Sequence, residues 1–170
     1  MSGKTAIFLV FLFIFMLTTQ ASAGENLESA KKLFSAQEYN DAIHLLKKVT
    51  KQEPSNAEAW VLLGDCYSGL GKNENAIRAY QKAIGINPEH ADAIFGLGVT
   101  YTRLGKHSNA IEAYKQVVRI QPKHAKAHFY LGMSYERIGR IGYAFEHYKI
   151  LKTLDKSLAD ELYKIILGSS

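Results

Sequence analysis

Few residues in this chain have the types and spacing that chemistry needs. His124 and His128 stand at i and i+4, which puts two imidazoles on one helical face and is the spacing of a metal-binding pair. No Asp, Glu or Cys nearby completes a ligand set, and His124 follows Pro122 so closely that a helix would only be starting there. The two read as surface histidines near a turn. Cys66 is the only cysteine, so no internal disulfide can form; beside Gly64 and Tyr67 it reads as a buried small side chain rather than a redox group. No Ser or His stands in a Gly-rich nucleophile motif. The expectation is no catalytic residue, no metal and no cofactor.

What the chain has instead is a beat. Its three prolines, Pro54, Pro88 and Pro122, are equally spaced at 34 residues, the period of a helix–turn–helix repeat array. Gly64, Gly98 and Gly132 keep step, as do Leu63, Leu97 and Leu131, and Tyr67, Tyr101 and Tyr135. Gly71, Gly105 and Gly139 follow, then Ala76, Ala110 and Ala144, then Tyr80, Tyr114 and Tyr148. The segments starting at Ala57 and Ala91 agree at roughly half of their positions. The recurring residues are chemically varied, which argues against low-complexity bias.

The amino-terminal stretch has a different character. Lys4 precedes an unbroken apolar run from Ala6 to Leu17, followed by Ala21-Ser22-Ala23. A basic start, a short apolar middle and small residues before a cleavage point make a secretory signal. The run is about 12 residues, short of the ~20 that span a bilayer as a helix. Cleavage after Ala23 is expected, with an uncleaved membrane anchor as the alternative. An exported protein rarely meets nucleic acid, and the basic residues behind the net charge of +5 are scattered, so no nucleic-acid partner is expected. An apolar share of 47% against 22% charged residues suits a folded domain rather than disorder.

Within one unit the pattern predicts two helices. Trp60, Leu63, Gly64 and Tyr67 fall at i, i+3, i+4 and i+7 on one face. Gly71 ends that helix at the position that favours a left-handed cap. A second helix carries Ala76, Tyr80 and Ala83 inward, and Asn87-Pro88 stops it. So short a link makes the two antiparallel neighbours. Mid-helix glycine costs about 1 kcal/mol relative to alanine, so Gly64 needs a reason. Close approach to Ala76 would supply it, with Gly98 and Ala110, and Gly132 and Ala144, repeating the pairing.

These residues resemble the tetratricopeptide repeat family, whose pattern is W-x2-L-G-x2-Y, then A-x3-F, then P. The unit from Ala57 matches almost throughout, whereas Ile94 and His128 replace the tryptophan in the next two. The first unit is degenerate in its first helix, and the fourth has Lys156 in place of the closing proline. The resemblance implies an all-α fold, a right-handed α-solenoid of about four antiparallel helix-pair repeats. Its domains are a signal peptide over 1–23 and a repeat domain over 24–170. The repeats lie near 23–56, 57–90, 91–124 and 125–158, and a capping helix over 157–167 has Ile166 where other units carry Gly or Ala, as if nothing pressed on it.

The resemblance also implies a concave groove lined by the first helix of each unit. Its first row reads Leu27, Val61, Phe95 and Phe129, with Tyr163 continuing onto the cap. A second row reads Lys31, Asp65, Val99 and Met133, and a third Phe34, Ser68, Thr102 and Glu136, with Arg103 and Arg137 at the edge. Phe95 and Phe129 lie outside the core stripe, so the expectation is an exposed apolar patch that grips a peptide; half-buried packing on neighbouring helices is the alternative. Some family members hold a ligand's terminal carboxylate with paired lysines and asparagines, but Asp65 and Val99 stand where those asparagines would be. Arg103 and Arg137 read as solvated helix-end cations, with contact to an acidic ligand as the alternative. Lys72, Lys106 and Arg140 follow the turn glycines and read as turn residues, although a basic edge for anionic lipid or polymer is the other reading.

The resulting expectation is a non-enzymatic scaffold, exported to a periplasmic or secreted location, that binds a protein or peptide in its groove. A self-associating homo-oligomer, or an accessory subunit of an envelope enzyme or of a secretion or pilus assembly complex, is the alternative. Membrane contact is expected only through the signal segment, if that stays attached.

Overall fold

The computed structural model describes residues 23–168. Among them lie nine helices and no strand. α1 covers residues 23–35. It is followed by α2 (Tyr39–Gln52), α3 (Ala57–Gly69), α4 (Asn73–Ile86), α5 (Ala91–Arg103) and α6 (His107–Ile120). α7 (Ala125–Arg137), α8 (Ile141–Leu154) and α9 (Lys156–Ile166) complete the order. The odd-numbered helix of each pair packs on the even-numbered one that follows, and each pair touches only its neighbours along the chain. The molecule is an α-solenoid of helix-pair repeats. The apolar run and its cleavage motif lie outside the described residues, except for Ala23, which is helical and buried in α1.

Two kinds of turn alternate, and each follows from its residues. At one edge of the stack, Gly71, Gly105 and Gly139 take φ of 68°, 68° and 73°, the left-handed region in which a side chain is strained. The amide of Lys72 donates to the Tyr67 carbonyl at 2.9 Å and that of Gly71 to Ser68 at 3.1 Å. Lys106 with Tyr101 and Arg140 with Tyr135 repeat the Lys72–Tyr67 bond, at 2.9 and 2.8 Å. This pair of bonds is the Schellman cap, which satisfies carbonyls that a helix end leaves orphaned. In the first unit Gln37 takes the same conformation without being glycine. At the opposite edge prolines follow α2, α4 and α6, and side chains cap three of the helices that start there, α3, α7 and α9. Asn56 Oδ1 accepts from the Ala59 amide at 3.0 Å, His124 Nδ1 from Ala127 at 3.1 Å and Asp155 Oδ1 from Leu158 at 3.1 Å.

The structure corrects the pairing expected for the mid-helix glycines. A Cβ added at Gly64 would lie 2.6 Å from the Tyr80 ring, and one at Gly98 would lie 2.6 Å from the Tyr114 ring. Those rings, rather than Ala76 and Ala110, make the closest approach. At Gly132 the nearest atoms are the Leu162 methyl of α9 at 2.6 Å and the His147 Cβ at 3.3 Å. At Gly64 and Gly98 an aromatic ring, and at Gly132 a leucine of the cap, thus fills the gap that two small residues were expected to close.

Ile166 is likewise corrected. It is half-buried and packs on the cluster formed by Phe129, Leu151, Ala159 and Leu162. The cap presses its own apolar side chain onto the last repeat, which is what seals the end of the stack.

Candidate functional site

The three expected groove rows are present, but they are less open than the sequence suggests. Leu27, Val61 and Phe129 are buried, at 7–8% exposure, because the first helices of successive units lie side by side and cover one another's first row. Phe129 is therefore a core residue, in one cluster with Leu151 of α8 and with Ala159 and Leu162 of α9. The expected exposed pair of phenylalanines does not exist. Phe95 is half-buried, with its ring 5.7 Å from Tyr114, 5.8 Å from Tyr130 and 4.9 Å from His124. Tyr163 alone of that row stays exposed.

The second and third rows supply the polar surface. Lys31 pairs with Glu28 and with Glu58 of α3, each at 2.8 Å. Asp65 accepts a 2.7 Å hydrogen bond from the Tyr80 hydroxyl. Burial pushes the Asp65 carboxyl above the usual range and the nearby Asp92 carboxylate adds to this, while the Tyr80 bond pulls it down. Val99 and Met133 are half-buried, as is Phe34, whose ring lies 5.7 Å from Tyr39. Thr102 Oγ1 bonds the Gly98 carbonyl and lies 3.0 Å from the Tyr114 hydroxyl. Glu136 reaches Arg137 at 3.6 Å.

Arg103 does more than end its helix. Its Nη1 donates to the Ser68 carbonyl at 2.9 Å and to Ser68 Oγ at 2.7 Å, tying α5 to α3 across two repeats. The concave face opens beside this tie. Asp65, Ser68, Asp92, Phe95, Gly96 and Val99 surround a depression of about 360 Å³ whose floor includes Tyr80.

Sequence reasoning missed Tyr80, Asp92 and Gly96. Tyr80 belongs to α4, in the outer layer, yet its ring passes between α3 and α5. A Cβ at Gly96 would lie 2.6 Å from Tyr80 Cζ, so Gly64 and Gly96 flank the same ring. The available signal was Gly96 itself, a glycine the other units do not carry at that slot.

The histidines also differ from the expected surface pair. His124 is spent on its helix cap, and His128 is buried. His128 Nε2 lies 2.9 Å from the Pro122 carbonyl, so it is the protonated nitrogen; His128 Nδ1 then accepts from His147 Nδ1 at 3.0 Å. Burial, with His128 alongside, lowers the His147 pKa to about 4. Cys66 is fully buried, and burial pushes its thiol up to about 12, far from the thiolate that reactivity needs. Among the described residues no group of three or more His, Cys, Asp or Glu side chains could hold a metal ion.

A family model for the tetratricopeptide-repeat domain of cytochrome c-type biogenesis protein H matches residues 19–158. The chain belongs to this tetratricopeptide-repeat family. A crystal structure of MamA is 32% identical, covering 81% of each chain, with a TM-score of 0.76. A second MamA structure is 31% identical over 85% of this chain and 79% of that one, at 0.75. A tetratricopeptide repeat protein from Parabacteroides merdae superposes at 0.78 over 86% of this chain and 59% of its own, at 20% identity, a likeness of fold alone. None of the curated proteins compared matches the chain. Tetratricopeptide repeats are generally protein–protein interaction modules and typically non-catalytic, so the partners to expect are proteins.

Proposed function

We propose that this protein is an exported adaptor that holds a segment of another protein against its concave face, without chemistry of its own. The observation that carries this reading is the depression over Tyr80, where Phe95 and Val99 offer apolar contact beside Asp65, Asp92 and the Ser68–Arg103 tie. A mixed surface of this kind suits an extended or helical peptide that brings both an apolar and a polar or cationic side chain. The centre of the site is accordingly at Asp65, Phe95, Val99 and Arg103, not at the buried Phe129. Lys4, the apolar run and Ala21-Ser22-Ala23 support the reading of export, with the adaptor in the periplasm or outside the cell if cleavage follows Ala23. The name of the matching family favours a second setting, as an accessory to an envelope assembly such as c-type cytochrome biogenesis.

A photo-crosslinking residue at Val99, compared with one at Lys82 on the exposed side of α4, tests the reading in the native compartment. Adducts to a second protein from position 99 and none from position 82 are expected. Adducts to further copies of this chain would favour the self-associating alternative, and adducts from position 82 alone would remove the concave site.

A further inference from the structure

The turn between α7 and α8 breaks the rule its counterparts follow. The three turns share the left-handed glycine and the same capping bonds, so their backbones make the same demands. Their side chains should then be interchangeable as far as folding is concerned. Two units carry Asn73 and Asn75, or His107 and Asn109, where this turn carries Ile141 and Tyr143. Leu70 and Leu104 are half-buried, but their counterpart Ile138 is exposed. Ile138, Ile141 and Tyr143 are 41%, 39% and 46% exposed, an apolar tip that the solenoid does not require. Tyr143 is held in place at the surface by stacking on Tyr135, with ring centroids 5.0 Å apart.

Unpaired cations stand at and beside this tip, with Glu146 the exposed acid that shares its surface. Arg140 lies within it, and Lys106 and Lys72 occupy the same position in the preceding turns. All three are exposed and join no ion pair among the described residues. Of the neighbouring acids, Glu112 and Glu136 are engaged by Lys115 and Arg137, and Glu146 alone stays exposed and unpaired beside the tip, fewer than the three cations. Apolar side chains at the end of a protruding turn, with unpaired cations along the same edge, complement an anionic lipid surface. The Schellman bonds matter here too. They satisfy backbone groups that would otherwise resist approach to a low-dielectric layer.

We propose that this edge docks on an anionic bilayer surface, with Ile138, Ile141 and Tyr143 entering the headgroup layer and Arg140, Lys106 and Lys72 facing its phosphates. The contact is separate from the concave site and from the Ala6–Leu17 run. The test uses the full chain carrying Trp60→Phe and Tyr143→Trp, so that position 143 holds the only tryptophan. It is mixed with phosphatidylcholine vesicles, with or without phosphatidylglycerol, containing brominated acyl chains. Blue-shifted, quenched emission is expected only with phosphatidylglycerol. It should weaken with added salt, and Arg140→Glu should lower the quenching affinity roughly tenfold or more. The readout is local, so vesicle binding through the amino-terminal run alone leaves Trp at 143 unquenched and overturns the proposal. Equal quenching by neutral vesicles would overturn it as well, as would a lipid-free dimer in sedimentation that shields position 143.

Discussion

Gly64→Ala and Gly85→Ala are the same chemical change and should move stability in opposite directions. Both glycines lie inside helices, Gly64 midway along α3 and Gly85 near the end of α4. In each, alanine improves helix propensity, by up to about 1 kcal/mol mid-helix and by less near an end. Nothing lies within 4 Å of a Cβ at Gly85, so the gain there is unopposed, at about 0.5 kcal/mol. At Gly64 the new methyl would stand 2.6, 2.7 and 3.0 Å from three atoms of the Tyr80 ring. The ring cannot swing aside, because the space towards α5 is closed by the equally tight approach at Gly96. Overpacking of this kind costs about 1–3 kcal/mol. Any displacement of the ring also stretches the 2.7 Å bond to Asp65, of a class worth about 1.5–3 kcal/mol. The net expectation for Gly64→Ala is a loss of about 1–3 kcal/mol, a drop of about 2–4 °C in Tm for each kcal/mol. Urea titrations of the two variants and the parent measure this. In a Tyr80→Leu background the penalty at Gly64 should largely vanish. A Gly64→Ala protein as stable as Gly85→Ala would refute the account of these glycines.

Acid should weaken the fourth repeat through His147. A base whose folded pKa is depressed to about 4 from 6.5 disfavours its protonated form, so stability is intact above pH 6.5 and falls as pH drops towards 4. The loss is about 2 kcal/mol by pH 4.5, allowing for partial exposure of the ring. Urea midpoints that fall less between pH 7 and 4.5 in His147→Gln than in the parent would bear this out; parallel curves would remove it. Phe129→Ala should cost about 3–5 kcal/mol as a core truncation, and intact stability in denaturant would show that the α9 contact is not formed.

The backbone plan was legible because each of its demands falls on one residue type. Proline cannot continue a helix past its first turn, and glycine alone adopts the cap at Gly71, Gly105 and Gly139 without strain. Both therefore write their requirement directly into the chain at the repeat period. What Gly64 packs against was not legible, since small residues only announce that something comes near. Tyr80 and Ala76 lie on the same second helix, and which of them fills the space depends on how α4 is rolled against α3. Phe129 illustrates a different gap. Its slot is the groove slot in every unit, and it is covered as Leu27 and Val61 are; for Phe129 the cover is the cap, which supplies Ala159 and Leu162. The His128–His147 pair joins the slot that the family pattern gives to tryptophan with a position that the pattern leaves free, so no periodic signal marks it.

Tyr80 joins the two faces of the molecule mechanically. It is carried by an outer helix, runs between two inner ones and ends in a hydroxyl on Asp65 beside the open depression. A guest whose cation drew the Asp65 carboxylate towards itself would let go of that hydroxyl and slacken the strut holding α4 against α3 and α5. Occupancy on the inner side would then register on the outer side as a looser α4, detectable as faster amide exchange there.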